Sequence, residues 1–356
     1  MGLNINSFIA IFRTFLKYKN HDIGMKLAFA SIAGGITLLV SGVGLNVLIA
    51  TQYFDLPVLI NNNLPGWISY LGAGLVVFGC VVGAVRIRYL QRHITGILIV
   101  HRGMEGMNIT DVRGALPGAF SKGKLEVIDL HEGHQLHNGS MIAPERALDV
   151  VNGIDQQIKT RINGRDNSHI KLAYGGLAPI PLLVTAGYKM TSRQECVALD
   201  YSRTTGWHGL DDVDDDETVE ITPPVGKLDD VVAIILPLSV GISTAQIPDT
   251  LSGKAYVFNL GGGPRPDSLN SSIKQKRIAT ELYTLCANLK ASHPGIKEIH
   301  IFLASQASFA FRIGTMLSTS VMPKISMYQY DSVTGKYSWG VSITAGENPS
   351  ITHAKY

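Results

Sequence analysis

The chain has 356 residues, of which 46% are hydrophobic and 17% charged, and its mean hydropathy is +0.17. This composition is too apolar for an ordinary soluble enzyme, so part of the apolar excess is predicted to lie in a membrane. A net charge of +3 disfavours a long nucleic-acid partner. The three cysteines include no CxxC pair, which disfavours a disulfide framework and a thiolate zinc site and predicts that the soluble part is cytosolic.

The first 25 residues are predicted to form an amphipathic helix. Phe8, Ile11, Phe12 and Phe15 fall on one helical face, whereas the basic residues lie elsewhere. This pattern is typical of a helix in a membrane interface, and the alternative is a short helix packed on protein. We therefore expect residues 1–25 to lie against the bilayer surface.

Two uncharged segments follow, Leu27 to Ala50 and Leu56 to Val85, and about 20 apolar residues suffice to cross a bilayer. They predict a transmembrane hairpin over residues 26–90, with the second helix beginning near Trp67. The glycines of both segments would allow close helix approach and self-association, although glycine is also simply common in membrane helices. Basic residues flank the hairpin on both sides and Asp55 is the only charge between the spans, which predicts that both termini face the cytoplasm.

Strand and helix patterns alternate after residue 94, and they include a predicted helix over residues 144–162 and predicted strands over Ala255–Leu260 and Lys324–Asp331. This order predicts α/β domains with parallel sheets: a first half over residues 91–210, an acidic linker over 211–224 and a second half over 225–356. The linker contains six acids between Asp211 and Glu217, without the spacing of a calcium loop, so it is predicted to be a solvated segment.

One strand–turn–helix–strand unit occurs twice, at Ile170 to Tyr201 and at Ile299 to Asp331. The sequence alignment matches Leu172-Ala173 with Leu303-Ala304, Asp200 with Asp331, and the turn Gly175-Gly176 with Ser305-Gln306. Thr204-Thr205-Gly206 likewise matches Val333-Thr334-Gly335. The repeat predicts a pseudo-two-fold axis with a cleft between two fused Rossmann-like halves.

Ligands of open α/β sheets bind at the carboxyl ends of the strands. Applied to both halves, this rule selects candidate ligand contacts in which arginines would meet phosphate, tyrosines would stack on bases and backbone amides would hold anions. The candidates are His101, Arg102, Gly103, Tyr174, Gly175, Gly176, Tyr201, Arg203, Leu238, Ser239, Arg265, Ser305, Gln306 and Tyr330.

No catalytic centre, metal site or cofactor is predicted. His131, His134 and His137 have no obvious carboxylate partner, and HEGH is not the HExxH metal motif. The GGGP stretch at 261–264 is a weak phosphate-loop signal. We therefore expect a receptor and not an enzyme.

The stretch IHIFLASQASFAFRIGTMLSTSVMPKISMYQYD, with its echo IKLAYGGLAPIPLLVTAGYKM, resembles the SAVED domain, a tandem of two CARF-like halves. With two membrane helices ahead of it, the chain is similar to the transmembrane SAVED effectors of bacterial CBASS anti-phage systems, although it carries no nuclease domain. The resemblance implies a multi-pass protein of the bacterial inner membrane that binds a cyclic di- or trinucleotide in the cleft. Ligand-driven self-assembly would then cluster the membrane helices, disrupt the lipid bilayer and abort infection.

Two alternatives remain open at this point. The chain could be a membrane-bound hydrolase of a cyclic nucleotide or dinucleotide that uses the histidine loop and the acidic run. It could also be a membrane anchor that recruits a partner protein through the same α/β unit.

Overall fold

The computed structural model describes residues 23–43, 67–104, 107–120, 123–131, 136–137, 140–141, 143–162, 170–190 and 196–356. The chain divides into two compact units, Met1–Ile94 and Thr95–Tyr356. The predicted interfacial helix and the loop between the two predicted spans lie outside the described residues.

The first unit contains helices α1 (Ile23–Val43) and α2 (Trp67–His93). They pack at a glycine contact, because a Cβ on Gly35 would lie 2.6 Å from the carbonyl oxygen of Gly72, and one on Gly72 would lie 2.7 Å from that of Gly35. Only glycine allows the two backbones to approach so closely. These two glycines therefore serve the packing of α1 on α2.

One helix in the described part of the chain is long and apolar enough to cross a membrane, Trp67–Tyr89. The prediction that the second helix begins near Trp67 is confirmed, and the helix continues beyond Val85 to His93. The described apolar part of α1, Gly24–Leu39, is shorter than a membrane span, and residues 44–50 of the first predicted span lie outside the described residues. The structure thus supports one candidate span by length and composition.

The second unit begins with a five-stranded sheet in the order β2-β1-β5-β6-β7, parallel except for the β6–β7 hairpin. Its strands are β1 (Thr95–Arg102), β2 (Lys124–His131), β5 (Ile170–Leu177), β6 (Cys196–Ser202) and β7 (Gly206–Gly209), and its helices are α3 (Ile109–Gly114), α4 (Pro144–Asn152), α5 (Ile154–Ile162) and α6 (Ile180–Met190). A two-stranded ribbon, β3 (Leu136–His137) with β4 (Ser140–Met141), stands apart from this sheet.

A seven-stranded sheet follows in the order β14-β13-β12-β11-β9-β10-β8. Its strands are β8 (Val219–Thr222), β9 (Val231–Pro237), β10 (Ala255–Leu260), β11 (Glu298–Ala304), β12 (Lys324–Asp331), β13 (Lys336–Ile343) and β14 (Ser350–His353), and its helices are α7 (Asp249–Ser252), α8 (Ser272–Ser292) and α9 (Ala307–Met316), with a 3-10 turn at Thr244–Gln246. The segment β10-β9-β11-β12-β13 repeats the strand order of the first sheet. The predicted mixed α/β architecture is confirmed.

The repeat is real, but its predicted alignment is shifted. Strand β5 ends at Leu177 and α6 begins at Ile180, just as β11 ends at Ala304 and α9 begins at Ala307. Leu177 therefore corresponds to Ala304, and the strand register places Asp200 opposite Gln329 and not opposite Asp331. The predicted turn at Gly175-Gly176 is also wrong, because both glycines lie in β5 and pair with neighbouring strands.

The two halves meet along helices α6 and α9. A Cβ on Gly187 would clash with the carbonyl oxygen of Phe311, and a Cβ on Gly314 would clash with that of Val184. The contact is reciprocal: each glycine lies three residues after the residue that its partner contacts. Apolar residues of both sheets share one buried cluster around this contact, so the halves form a continuous core.

Two further elements differ from expectation. The predicted helix 144–162 is broken at Gly153 into α4 and α5. The predicted linker 211–224 contains strand β8, and its acidic residues are ion-paired with α8, which carries Lys274 and Arg277 at the same edge. The acidic run is therefore held on the second half by the ion pairs of Asp215 with Lys274 and of Asp214 with Arg277.

Candidate functional site

The candidate site is the crevice where the carboxyl ends of the two sheets come together. In each sheet the chain leaves two neighbouring strands in opposite directions, and a backbone hydrogen bond joins the ends of these two strands. The amide of Gly103 donates to the carbonyl of Leu177 at 2.7 Å, and the amide of Leu238 donates to that of Ala304 at 2.9 Å. These equivalent bonds join the ends of β1 and β5 in the first half and of β9 and β11 in the second half.

Asp200, near the end of β6, joins the first half to the second. It is 1% exposed, and its Oδ2 accepts from the Ser308 hydroxyl at 2.8 Å and from Gln306 Nε2 at 2.7 Å. Its Oδ1 accepts from the amide of Tyr201 at 2.9 Å. Burial raises the pKa of Asp200, while the hydrogen bond from Ser308 lowers it. Asp200 thereby caps the amino end of α9, a helix of the other half.

Gln329, the counterpart of Asp200, makes the reverse connection. Its Oε1 accepts from the amide of Ile180 at 2.8 Å, at the start of α6. Each half therefore caps the crossover helix of the other, which fixes the two carboxyl-end edges relative to one another. The capping group is the side-chain amide of Gln329 in the second half and the carboxylate of Asp200 in the first half.

Gln306, between β11 and α9, connects Asp200 of the first half to the segment Leu269-Asn270 of the second half. Its Oε1 accepts from the amide of Leu269 at 2.6 Å, and its Nε2 donates to Asp200 and to Asn270 Oδ1, both at 2.7 Å. All three contacts use the side-chain amide. Gln306 is thus a structural connector in this conformation.

The loop Gly261 to Asp267 reaches from the second half to the end of β6. The hydroxyl of Ser202 donates to Asp267 Oδ2 at 3.0 Å and lies 2.8 Å from Thr204 Oγ1. Asp267 has a φ of 55°, a left-handed conformation that few residues other than glycine adopt. The loop is thereby held at the crevice beside the β6–β7 turn.

Arg265 of the same loop forms a two-point ion pair with Glu217. Its Nη1 and Nη2 donate to Oε1 and Oε2 at 2.7 and 2.8 Å. The guanidinium of Arg265, with Lys274 beside it, lowers the pKa of Glu217 to about 2. Arg102 is held in the same way by Asp129 on β2, at 2.8 and 2.6 Å. Two of the three predicted phosphate-binding arginines therefore already have carboxylate partners.

Several candidate residues lie in the core and not on the crevice surface. Tyr174 is 1% exposed, stacks on Phe311 at 3.9 Å between ring centroids, and its hydroxyl lies 2.6 Å from His101 Nδ1. The other buried candidates are His101, Gly103, Gly175, Gly176 and Leu238. A base could stack on Tyr174 only if Phe311 moved.

The remaining candidates reach the surface. Tyr201 and Tyr330 are each 39% exposed, Arg203 is exposed in the β6–β7 turn, and Ser305 is half-buried. Ser239 is half-buried as well, and its hydroxyl is buried without a hydrogen-bond partner within the described part of the chain. Tyr201, Arg203, Arg265, Ser305 and Tyr330 are therefore the candidates that the structure leaves accessible.

Sequence reasoning missed several residues that build the crevice, namely Ser202, Glu217, Asp267, Ser308 and Gln329. Ser308 and Gln329 sit inside the repeated unit, and a correct alignment would have matched Gln329 with Asp200. Nothing local in the sequence shows that Glu217 or Asp267 meets its partner, because both contacts cross long stretches of chain.

The histidine loop offers no metal site within the described residues, which contain no group of three His, Cys, Asp or Glu side chains able to hold a metal ion. His131 is exposed at the end of β2, and His134 lies outside the described residues. In the acidic run, Asp214 and Asp215 form ion pairs with α8, and Glu217 forms one with the loop Gly261 to Asp267.

The repeated strand order defines a tandem α/β protein of two similar halves. The model of the SAVED family, described as "SMODS-associated and fused to various effectors sensor domain", matches residues 153–343, more than half of the chain. The chain belongs to the SAVED family.

Solved structures of the Acinetobacter baumannii Cap4 SAVED/CARF-domain receptor are similar to the chain. The complex with the cyclic trinucleotide 2'3'3'-cAAA shows 10% identity and a TM-score of 0.47, covering 81% of this chain and 62% of that one. The complex with 3'3'3'-cAAA shows 11% identity and a TM-score of 0.45, covering 95% and 85%. The chain thus spans about three fifths of the first of these receptors. No curated protein matches the chain.

Proposed function

We propose that the chain is a receptor for a cyclic di- or trinucleotide and that the ligand binds in the crevice between the two halves. The observation that carries the proposal is the reciprocal capping by Asp200 and Gln329, which holds two equivalent carboxyl-end edges together in a SAVED sensor domain. A ligand with repeated nucleotide units suits a site built from a repeated fold. The cyclic trinucleotides bound to the Cap4 receptor support this ligand class.

The exposed candidates supply suitable chemistry. Tyr201 and Tyr330 offer aromatic faces for bases, and Arg203 offers a guanidinium for phosphate. In our proposal these side chains come from equivalent places, the ends of β6 and β12 and the turns that follow them. Each half would therefore contact one part of the ring.

We further propose a membrane output in a CBASS anti-phage system. Helix α2 would cross the bacterial inner membrane together with the segment that includes α1, with the SAVED domain in the cytoplasm. The apolar stretch Trp67–Tyr89 supports this placement. Ligand would favour an assembled state in which the membrane helices of several chains cluster and permeabilise the bilayer, which requires that the ligand bind that state more tightly.

A leakage assay tests the whole proposal. Purified full-length chain is reconstituted into dye-filled liposomes, and cyclic dinucleotides and trinucleotides are added, with linear trinucleotides as the matched control. We expect a cyclic ligand to release the dye and the linear trinucleotides to release none. Absence of release with every cyclic di- and trinucleotide would contradict the membrane output.

The same samples address enzymatic turnover. We propose that the ligand is bound and not consumed, so it should be recovered intact by mass spectrometry. A variant with alanine at His131, His134 and His137 should release dye as the wild type does. Ligand cleavage that disappears in this variant would instead establish a hydrolase.

A further inference from the structure

The carboxylate of Glu217 lies in a cradle of hydrogen-bond donors from the second half. Its Oε1 accepts from the amide of Gly262 and from Arg265 Nη1, both at 2.7 Å. Its Oε2 accepts from Arg265 Nη2 at 2.8 Å and from Lys274 Nζ at 2.5 Å. A guanidinium fork, an ammonium and a backbone amide on one anion are the donors that proteins use to bind phosphate oxygens.

The cradle is a fixed part of the fold. Lys274 lies in the first turn of α8, and its side chain is 1% exposed. A Cβ on Gly262 would lie 2.5 Å from Arg265 Nη1 and 2.7 Å from Glu217 Oε1, so glycine at this position leaves room for both side-chain ends beside the loop backbone. Folding therefore keeps two positive charges facing one anion position.

Residues 211–217 form an acidic strap, and its last residue, Glu217, fills the cradle. Asp215 also pairs with Lys274 at 2.7 Å, and Asp214 pairs with Arg277 at 3.0 Å. The edge of this network is open to water, because the side chains of Asp215 and Arg265 are 52% and 42% exposed. The carboxylate of Glu217 is only 10% exposed, but the arginine end of the pair is open to water and screened by salt, so another anion can compete for the arginine.

The cradle also includes part of the loop Gly261 to Asp267, which contacts the end of β6 in the first half. Two residues after Arg265, Asp267 accepts the hydroxyl of Ser202 at the end of β6. Arg265 is therefore placed to bind either Glu217 or an anion in the crevice, and the fork of one guanidinium cannot serve both at once.

We propose that Glu217 is an internal competitor for the anion site formed by Gly262, Arg265 and Lys274, and that a phosphate oxygen of the ligand displaces it from Arg265. The inference rests on the proposed function for the identity of the ligand as a cyclic oligonucleotide. Glu217 then sets the ligand concentration at which the receptor responds, and its release from Arg265 accompanies binding, while Asp214 keeps its ion pair with Arg277.

Calorimetry on the full-length chain in detergent micelles tests the competition, with 2'3'3'-cAAA and 3'3'3'-cAAA as probes. Glu217→Gln keeps the side-chain shape and removes the competing charge, so we expect binding about five-fold tighter, the weight of one partly exposed ion pair. Asp214→Asn is the matched control, because it removes a strap charge that pairs with Arg277, and it should leave affinity unchanged. Arg265→Ala should weaken binding, and Glu217→Gln should give no gain when combined with it.

Three results would overturn the competition: equal affinity for wild type and Glu217→Gln, the same gain in Asp214→Asn, or a gain that persists without Arg265. The buried Lys274 pairs with both Glu217 and Asp215, and the substitution removes the first of these ion pairs. Folding of each variant is therefore checked by circular dichroism. If Glu217→Gln does not fold, Glu217→Asp takes its place. The aspartate side chain is one methylene shorter, so its carboxylate reaches the Arg265 guanidinium less well. This variant should therefore also bind the ligand more tightly than the wild type.

A sulfate measurement separates this inference from the proposed function. Thermal unfolding is followed in sodium sulfate and in sodium chloride of equal ionic strength. Sulfate should stabilise Glu217→Gln more than the wild type, and the difference should vanish in the Arg265→Ala background. If no cyclic oligonucleotide binds any variant, the proposed function fails and the sulfate result alone decides whether the cradle is an anion site.

Discussion

Replacing Asp200 with alanine is expected to destabilise the α/β unit strongly. The side chain is 1% exposed and accepts three hydrogen bonds, from Ser308, Gln306 and the amide of Tyr201. Truncation removes one acceptor from each of these donors, of which the Ser308 hydroxyl is buried and Gln306 keeps Asn270, at about 1 to 3 kcal/mol for each group left unsatisfied. Some of the loss is recovered because the buried charge, whose desolvation raises the pKa of Asp200, is also removed. A net loss of about 3 to 5 kcal/mol follows.

The assay is thermal unfolding of the full-length chain in detergent, followed by tryptophan fluorescence. A loss of that size corresponds to a fall in Tm of roughly 6 to 15 °C for a unit of this length. Asp200→Asn should cost less, about 1 to 2 kcal/mol, because it keeps the shape and one acceptor oxygen.

Asp230→Ala is the matched control, since that carboxylate is 58% exposed and lies 3.9 Å from Lys297. It should shift Tm by no more than about 2 °C. If Asp200→Ala behaves like Asp230→Ala, the reciprocal capping does not hold the halves together.

Three further predictions address the glycine contact, the strap and the buried tyrosine. Gly314→Ala should lower stability by about 3 kcal/mol or more in urea unfolding, because its Cβ meets the carbonyl of Val184, whereas Gly118→Ala, with open space at its Cβ, should be neutral. The folded-state pKa of Glu217 lies below its ordinary value of 4.5, so its ion pair stabilises the fold above pH 4.5 and this contribution is lost as the pH falls toward about 2. Unfolding measured across that window should therefore have a shallower pH dependence in Glu217→Gln, and an identical slope would contradict the assignment. Tyr174→Phe should cost about 1 to 2 kcal/mol through the lost contact with His101 and leave ligand affinity unchanged, and a large loss of affinity would show that Tyr174 reaches the ligand.

The sequence predicted the framework well because hydrophobic periodicity is a local signal. The prediction of strand β10 matched its observed bounds, Ala255–Leu260, and that of β12 matched Lys324–Asp331. The matched turns at Gly206 and Gly335 both have a positive φ, 76° and 68°, in equivalent hairpins. Strands β7, β8 and β14 were missed because each has only four residues, too few to show a period.

The candidate site was harder to predict because its contacts join residues far apart in sequence. The rule for carboxyl ends of strands selected loops at one edge of each sheet, but it could not distinguish an exposed side chain such as Tyr201 from a buried one such as Tyr174. It also assigned Arg102 and Arg265 to a ligand without showing that Asp129 and Glu217 hold them. Periodicity predicts which strands form, whereas the partner of each polar group depends on tertiary packing.

Calorimetric titration of the full-length chain in micelles with cyclic di- and trinucleotides, and with their linear counterparts, tests the central claim most directly. The account predicts saturable binding of a cyclic ligand, no binding of its linear form, and weaker binding to Arg203→Glu, which reverses the charge of an exposed arginine at the end of β6. Binding of no cyclic ligand at all, or affinity unchanged in Arg203→Glu, would contradict a receptor site in this crevice.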